Sequence, residues 1–136
     1  MNEADRRGAP RLFEYELGDG WVVLAGRTEA DNDRLSLKLA RPDDWWFHVR
    51  GMPGSHVVLR AREEVEPDKA ILKQAAAIAA YHSKARRGGT VAVSCTRARF
   101  VTKPRGAETG TVQIRKETVL KVRPAIPEGE ADSGPS

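Results

Sequence analysis

Between Asp43 and Arg60 the chain reads DDWWFHVRGMPGSHVVLR, which sets two tryptophans, two histidines and a Pro-Gly turn within eighteen residues. Side chains alternate between the faces of a strand. A strand here therefore sends Trp45, Phe47 and Val49 to one side, and Asp44, Trp46, His48 and Arg50 to the other. A second strand adds Val57 and Leu59 to the first set, and His56, Val58 and Arg60 to the second. The first set is plain core. The second gathers a carboxylate, an indole, imidazoles and guanidinium groups, which are costly to bury, so this face is expected to line a surface or cleft.

Four chemistries fit such a face. A zinc site wants three or four ligands, and only Asp44 and His82 could join the two imidazoles, so no metal and no cofactor is expected. General-base catalysis by His48 or His56, oriented by Asp44, would make a hydrolase acting on RNA or peptidyl-tRNA. No activated nucleophile or glycine-rich phosphate loop accompanies these residues, so no catalytic residue is assigned and the hydrolase stands as an alternative. A structural role, each imidazole bonded to loop backbone, stays open. Stacking on Trp46, with hydrogen bonds from the imidazoles and Arg50, suits single-stranded or looped RNA, whose bases expose faces and edges. The turn between the strands is a hairpin loop stiffened by Pro53, or a place where the N–H groups of Gly54 and Ser55 face a phosphate. The loop KPRGAETG, with Lys103, Arg105 and Gly106, could act likewise.

Charge supports the RNA reading. The formal net charge is +4, but residues 84–123 hold eleven Lys or Arg against Glu108 and Glu117, or +9. The residues before them sum to −2 and those after to −3. A segregated positive field attracts polyanions, although a solvated basic face has the same composition. The lone cysteine, Cys95, ends the strand-like run TVAVSC with no histidine nearby in sequence and is read as an inert core thiol. No apolar run approaches the ~20 residues of a bilayer span and the N-terminus has no signal-like segment, so a cytoplasmic protein without membrane association is expected.

The elements that must position these residues follow from local patterns. At 136 residues the chain should form one domain. LFEYEL, GDG and WVVLAG spell a hairpin. TEADNDRLSLKLA opens with Thr28 and Asp31 at capping-box spacing and predicts a short helix ending before Pro42. A long helix is predicted from about Pro67 to Arg87, stopped by Gly88 and Gly89, its alanine-rich middle letting the sheet approach closely. TVAVSCT and RARFVTK read as strands, and GTVQIRKETVLKVRP as a hairpin turning near Lys116 and Glu117. The fold class is α+β: a mixed, mainly antiparallel sheet with one long Ala-rich helix and one short helix packed on it. Residues 1–11 and an acidic tail over 125–136 are expected to be disordered, leaving residues 12–124 as the domain.

Four ordered blocks, GRTEADNDRL, DDWWFHVRGMPGSHVVLR, AAAIAAYHSKAR and VTKPRGAETGTVQI, resemble the RNA-binding (NFACT-R) domain found toward the C-terminal side of NFACT proteins, a family that includes ribosome quality-control factors. The resemblance implies an α+β RNA-binding module. By position it carries over Gly26, Arg27, Asn32 and Asp33; Asp44, Trp46, His48, Pro53, Gly54, Ser55 and His56; Ala76, Ala80, Ser83 and Lys84; and Lys103, Arg105, Gly106, Ala107, Gly110 and Val112. Thr28 stands where the family usually has asparagine, and Arg105 where it usually has lysine, which alters donor geometry. The family's other parts are absent from this sequence, so a stand-alone bacterial adapter is expected. It would bind tRNA or ribosomal RNA, with the ribosome or an RNA-modification or rescue protein as partner. The RNA-binding set is completed by Arg50 and Arg86. A protein-interaction adapter is the remaining alternative.

Overall fold

The computed structural model describes residues 11–127. Strands β1 (Leu12–Glu16) and β2 (Val22–Gly26) form the first hairpin. Its turn works because Asp19 and Gly20 both take positive φ, at 64° and 84°. After β2 come α1 (Glu29–Arg34), a π-helical turn (Leu35–Leu39), β3 (Trp45–Val49) and β4 (Val57–Leu59). The long helix α2 (Lys69–Tyr81) leads to β5 (Val91–Arg97), a 3₁₀ turn (Ala98–Phe100), β6 (Val101–Thr102), β7 (Gln113–Ile114) and β8 (Thr118–Val122). Six strands make one antiparallel sheet in the order β1-β2-β4-β3-β5-β8, while β6 and β7 pair separately as a short ribbon. The α+β class and the mainly antiparallel sheet are as predicted.

Thr28 caps α1 as its spacing with Asp31 requires: the Asp31 N–H donates to Thr28 Oγ1 at 3.1 Å and the Thr28 N–H to Asp31 Oδ2 at 3.1 Å. Burial of the Asp31 carboxyl opposes its ionisation, but bonds from the Arg11 and Thr28 N–H groups and the Thr28 hydroxyl outweigh this and hold its pKa below the ordinary value.

Two cores flank the sheet. On one face α2 lays Ala75, Ala76, Ala79 and Ala80 against Val23, Phe47, Val57 and Leu59, all fully buried. Methyl side chains let the helix sit close to the strands, as the alanine run predicts. The other face also carries a core: Leu24, Trp46 and Val58 lie beneath Leu35 of the π-helical turn and Val101 of the ribbon. The alternation in β3 and β4 is therefore as read, with Trp45 opposite Leu59 and Phe47 opposite Val57. The expectation that the polar face would line a surface or cleft holds for half-buried His48 and exposed Arg50 and is corrected for Asp44, Trp46 and His56, which are buried. Trp46 is 2% exposed because a third layer, built from the π-helical turn and the ribbon, covers it.

Three boundaries differ from the sequence reading. Helix α2 ends at Tyr81, six residues before Arg87, and Asp68 is its N-cap, accepting from the Ile71 N–H at 2.9 Å. The helix stops because the β3–β4 loop takes over its backbone bonds: Ser55 N–H donates to His82 O at 2.9 Å and Gly54 pairs with Ser83. The RARFVTK run is mostly a 3₁₀ turn with a two-residue strand. GTVQIRKETVLKVRP is no hairpin, since β7 pairs with β6 and β8 with β5, the chain turning through Lys116 at φ 57°.

The segments expected to be disordered, 1–11 and 125–136, fall outside the described residues except at their inner ends. There Arg11 N–H donates to Asp31, Ala125 N–H donates to Ala77 O at 3.2 Å, and Ile126 packs on the first core. Among the described residues no helix is long and apolar enough to cross a membrane.

Candidate nucleic-acid interface

The sequence-predicted residues separate into three places, with Asp44 apart from all of them. Six of them, Arg27, Asn32, Gly54, Ser55, Lys84 and Arg86, meet in one cleft of about 700 Å³. It lies where the end of β2, the β3–β4 loop and the turn after α2 converge. Two glycines permit that convergence. A Cβ on Gly26 would sit 2.1 Å from Asn32 Oδ1, and one on Gly54 would sit 2.7 Å from Ser83 Cβ.

Aromatic rings hold the cleft's guanidinium groups. Arg27 lies 4.3 Å from the centroid of Phe13, whose ring in turn stacks on His82 at 4.3 Å and 17°. The His82 Nε2 is 2.6 Å from Tyr15 Oη, which ties the stack to β1. Arg86 lies 4.1 Å over Tyr81 and its Nε–H donates to Tyr81 O at 2.7 Å. Exposed Lys84 and Arg87 complete the lining, so among the described residues four cations and one carboxylate, Glu29, line the cleft. Cations are also favoured here because the C-terminal end of a helix carries partial negative charge. A bound phosphate would meet guanidinium groups whose orientation is already fixed, which lowers the entropy lost on binding.

Ser55 serves this wall rather than a ligand. Its N–H is taken by His82 O and its hydroxyl donates to Gly26 O at 2.6 Å, so the expectation that the Ser55 N–H faces a phosphate is corrected. Asn32 likewise spends its Oδ1 on the His56 N–H at 3.0 Å.

The second place lies on the opposite face of the sheet. Trp46 Nε1–H donates to Ser36 Oγ at 2.8 Å, and Ser36 Oγ bonds His56 Nδ1 at 2.8 Å. His56 is 2% exposed, and burial together with the neighbouring His48 lowers its pKa to about 4, against weaker support from Asp33 and the Gly110 and Asn32 backbone. Burial also lowers the pKa of His48, opposed by a bond to the Gly54 backbone. Both imidazoles are therefore neutral at neutral pH. Half-buried His48 and exposed Arg50 reach a pocket of about 370 Å³, whereas Trp46 offers no free face for a base to stack on.

Asp44 is the clearest correction. It is 1% exposed and accepts from the Arg41 and Ala61 N–H groups and from Arg60 Nη1 at 2.8 Å. It pins the start of β3, whereas His48 lies four residues on, ~13 Å along an extended strand. Asp44 thus orients neither imidazole, and the hydrolase arrangement of His48 or His56 with Asp44 is not formed.

The third place is the KPRGAETG loop. Lys103 Nζ donates to Glu108 O at 2.6 Å and Thr111 O at 2.9 Å and pairs with Asp33 at 3.2 Å, while Gly110 N–H donates to the same carboxylate. Lys103 is a clip that fastens the loop to α1. Arg105 and Gly106, the latter at φ 81°, stand exposed at the tip.

The basic segment does not act as one field. Arg97 is stacked on Trp45 at 3.8 Å and paired with Glu66, and Arg99 is paired with Asp43. These residues line another cleft of about 680 Å³ in which, among the described residues, four cations meet five carboxylates, so it lacks the excess of positive charge that the first cleft carries. Phe13, Tyr81, His82 and Arg87 were missing from the sequence reading of the site. Arg87 lay within the basic run, but nothing local indicates that Phe13 meets the end of α2. Cys95 is buried, with its thiol pushed up to about 12, as an inert core residue should be.

Comparison with known proteins decides the family. Residues 11–116 match the NFACT protein RNA binding domain. The chain belongs to this RNA-binding family. It is 40% identical over 115 residues to the Rqc2 homolog RqcH of Bacillus subtilis (strain 168), and 37% identical over 111 residues to that of Streptococcus suis (strain 05ZYH33). These matches cover 85% and 81% of the chain but 20% of either relative, so the chain spans about a fifth of their length. The solved C-terminal part of the fibronectin/fibrinogen-binding protein from Streptococcus suis superposes with a TM-score of 0.77 at 36% identity, covering 86% of this chain and 46% of that one. This NFACT-R domain therefore has its counterpart within longer proteins.

Proposed function

We propose that the cleft between Arg27 and Arg86 holds the ribose-phosphate backbone of a structured RNA, with tRNA or ribosome-associated RNA as the ligand in translation quality control or tRNA processing. The observation that carries this reading is the pair of guanidinium groups braced on Phe13 and Tyr81, with Lys84 and Arg87 beside them. Phosphate contacts of this kind fix register and supply affinity, while sequence is read elsewhere. Kinship with the Rqc2 homologs supports the ribosome as partner and the cytoplasm as location.

Filter binding of tRNA over a range of salt tests the proposal. With about four cations engaged, log affinity should fall against log salt with a slope of roughly −3 to −4. Absence of binding at low salt, or a flat salt response, would remove it.

A further inference from the structure

We propose that the pocket between β3, β5 and the β6–β7 ribbon, floored by His48 and rimmed by Arg50 and Glu117, receives one unstacked base of the RNA, and that it favours bases carrying an exocyclic amino group over uracil. The proposal rests on the RNA reading above and adds a separate recognition site on the other side of the sheet.

Size and lining support it. The pocket measures about 370 Å³, near the lower end for small-ligand sites, which run from ~300 Å³. Val112 and Ile114 of the ribbon segment give it an apolar wall, and His48 offers an imidazole face of the kind on which RNA bases stack. The imidazoles are uncharged at neutral pH, since burial lowers the pKa of both, so a neutral heterocycle rather than an anion suits the floor.

The polar edge sets one carboxylate, Glu117, beside the guanidinium of Arg50 at the mouth and the Thr111 hydroxyl. Glu117 takes the Ser94 hydroxyl on Oε2 at 2.5 Å, leaving that hydroxyl committed. A carboxylate accepts and cannot donate, so it matches the N4 amino group of cytosine, whereas uracil offers it only an N3–H flanked by two carbonyl oxygens that it repels. Arg50 is 3.7 Å from Glu117, beyond hydrogen-bond distance, and its side chain is 52% exposed. It stands at the mouth, where the phosphate of an extruded nucleotide would lie. Gly54 links the two sites, since its backbone bonds His48 here and it lines the basic cleft on the other side.

The test is fluorescence anisotropy with short cytidine and uridine oligomers, which have the same ring size and little structure, at neutral pH and one low salt concentration. Wild-type protein should bind the cytidine oligomer about tenfold more tightly, within the ~5- to 150-fold that a good base contact gives. Glu117→Gln supplies an amide donor for O4 and should bring the ratio close to one, chiefly by strengthening uridine binding. Binding of both oligomers with a ratio near one in the wild type would overturn the inference and leave the RNA reading standing. So would a preference that Glu117→Gln leaves unchanged. Failure of both oligomers and of tRNA to bind would overturn the two together.

Discussion

The ring of Phe13 lies 4.3 Å from that of His82 at an angle of 17°, joining the first strand to the residue that caps the long helix. Sixty-nine positions separate the two in sequence. The stack places Arg27, which rests on Phe13, over the mouth of the basic cleft. Phe13→Leu keeps an apolar side chain in β1 but removes the aromatic support. It should weaken RNA binding about two- to fivefold, the ~0.5–1 kcal/mol of an exposed cation–π contact, with the far-ultraviolet circular dichroism unchanged. Equal affinity in the two proteins would show that the ring does not position Arg27.

The imidazole of His56 ties acid stability to the covered face of the sheet. An unfolded histidine titrates near 6.5, and this one is held at about 4. Between those values the unfolded chain binds more protons, so the contribution is complete above about pH 6.5 and is lost as pH falls toward 4. The loss should be roughly 3 kcal/mol. Urea unfolding at pH 7 and pH 4.5 should show wild-type protein losing more stability than His56→Gln. Parallel losses in both would mean that the ring is hydrated in the folded state.

Buried Asp44 pairs at 2.8 Å with half-buried Arg60 and fixes where β3 begins. Asp44→Ala leaves the Arg41 and Ala61 N–H groups without their acceptor and the Arg60 guanidinium with only the Leu39 carbonyl, and should cost about 3 kcal/mol of stability. The salt slope of RNA binding, measured where the variant is still folded, should be unchanged. A changed slope with intact stability would return Asp44 to the binding site.

Local chemistry made much of the fold legible. Thr28 and Asp31 announce a helix start, alternation in β3 and β4 assigns each side chain to the correct face, and the alanine run foretells a helix pressed on the sheet. What alternation cannot say is whether a face is wet. The polar set on β3 and β4 looks like a surface because partners such as Ser36 and Gly110 come from the π-helical turn and the loop before β7, far from it in sequence. The candidate site was legible in part by the same measure. Arg27, Lys84 and Arg86 are exposed bases whose sequence neighbourhood shows their charge, whereas Lys103 looks identical in sequence and is consumed by two loop carbonyls and Asp33. The end of α2 was misplaced because a tertiary partner, the backbone of Gly54 and Ser55, ends the helix before its own glycines do.

The most direct test of the basic cleft is the salt dependence of tRNA binding in the double variant Arg27→Ala/Arg86→Ala. Loss of two phosphate contacts should lower affinity at low salt and make the slope of log affinity against log salt shallower by about 2. Wild-type affinity and an unchanged slope in the double variant would contradict the account.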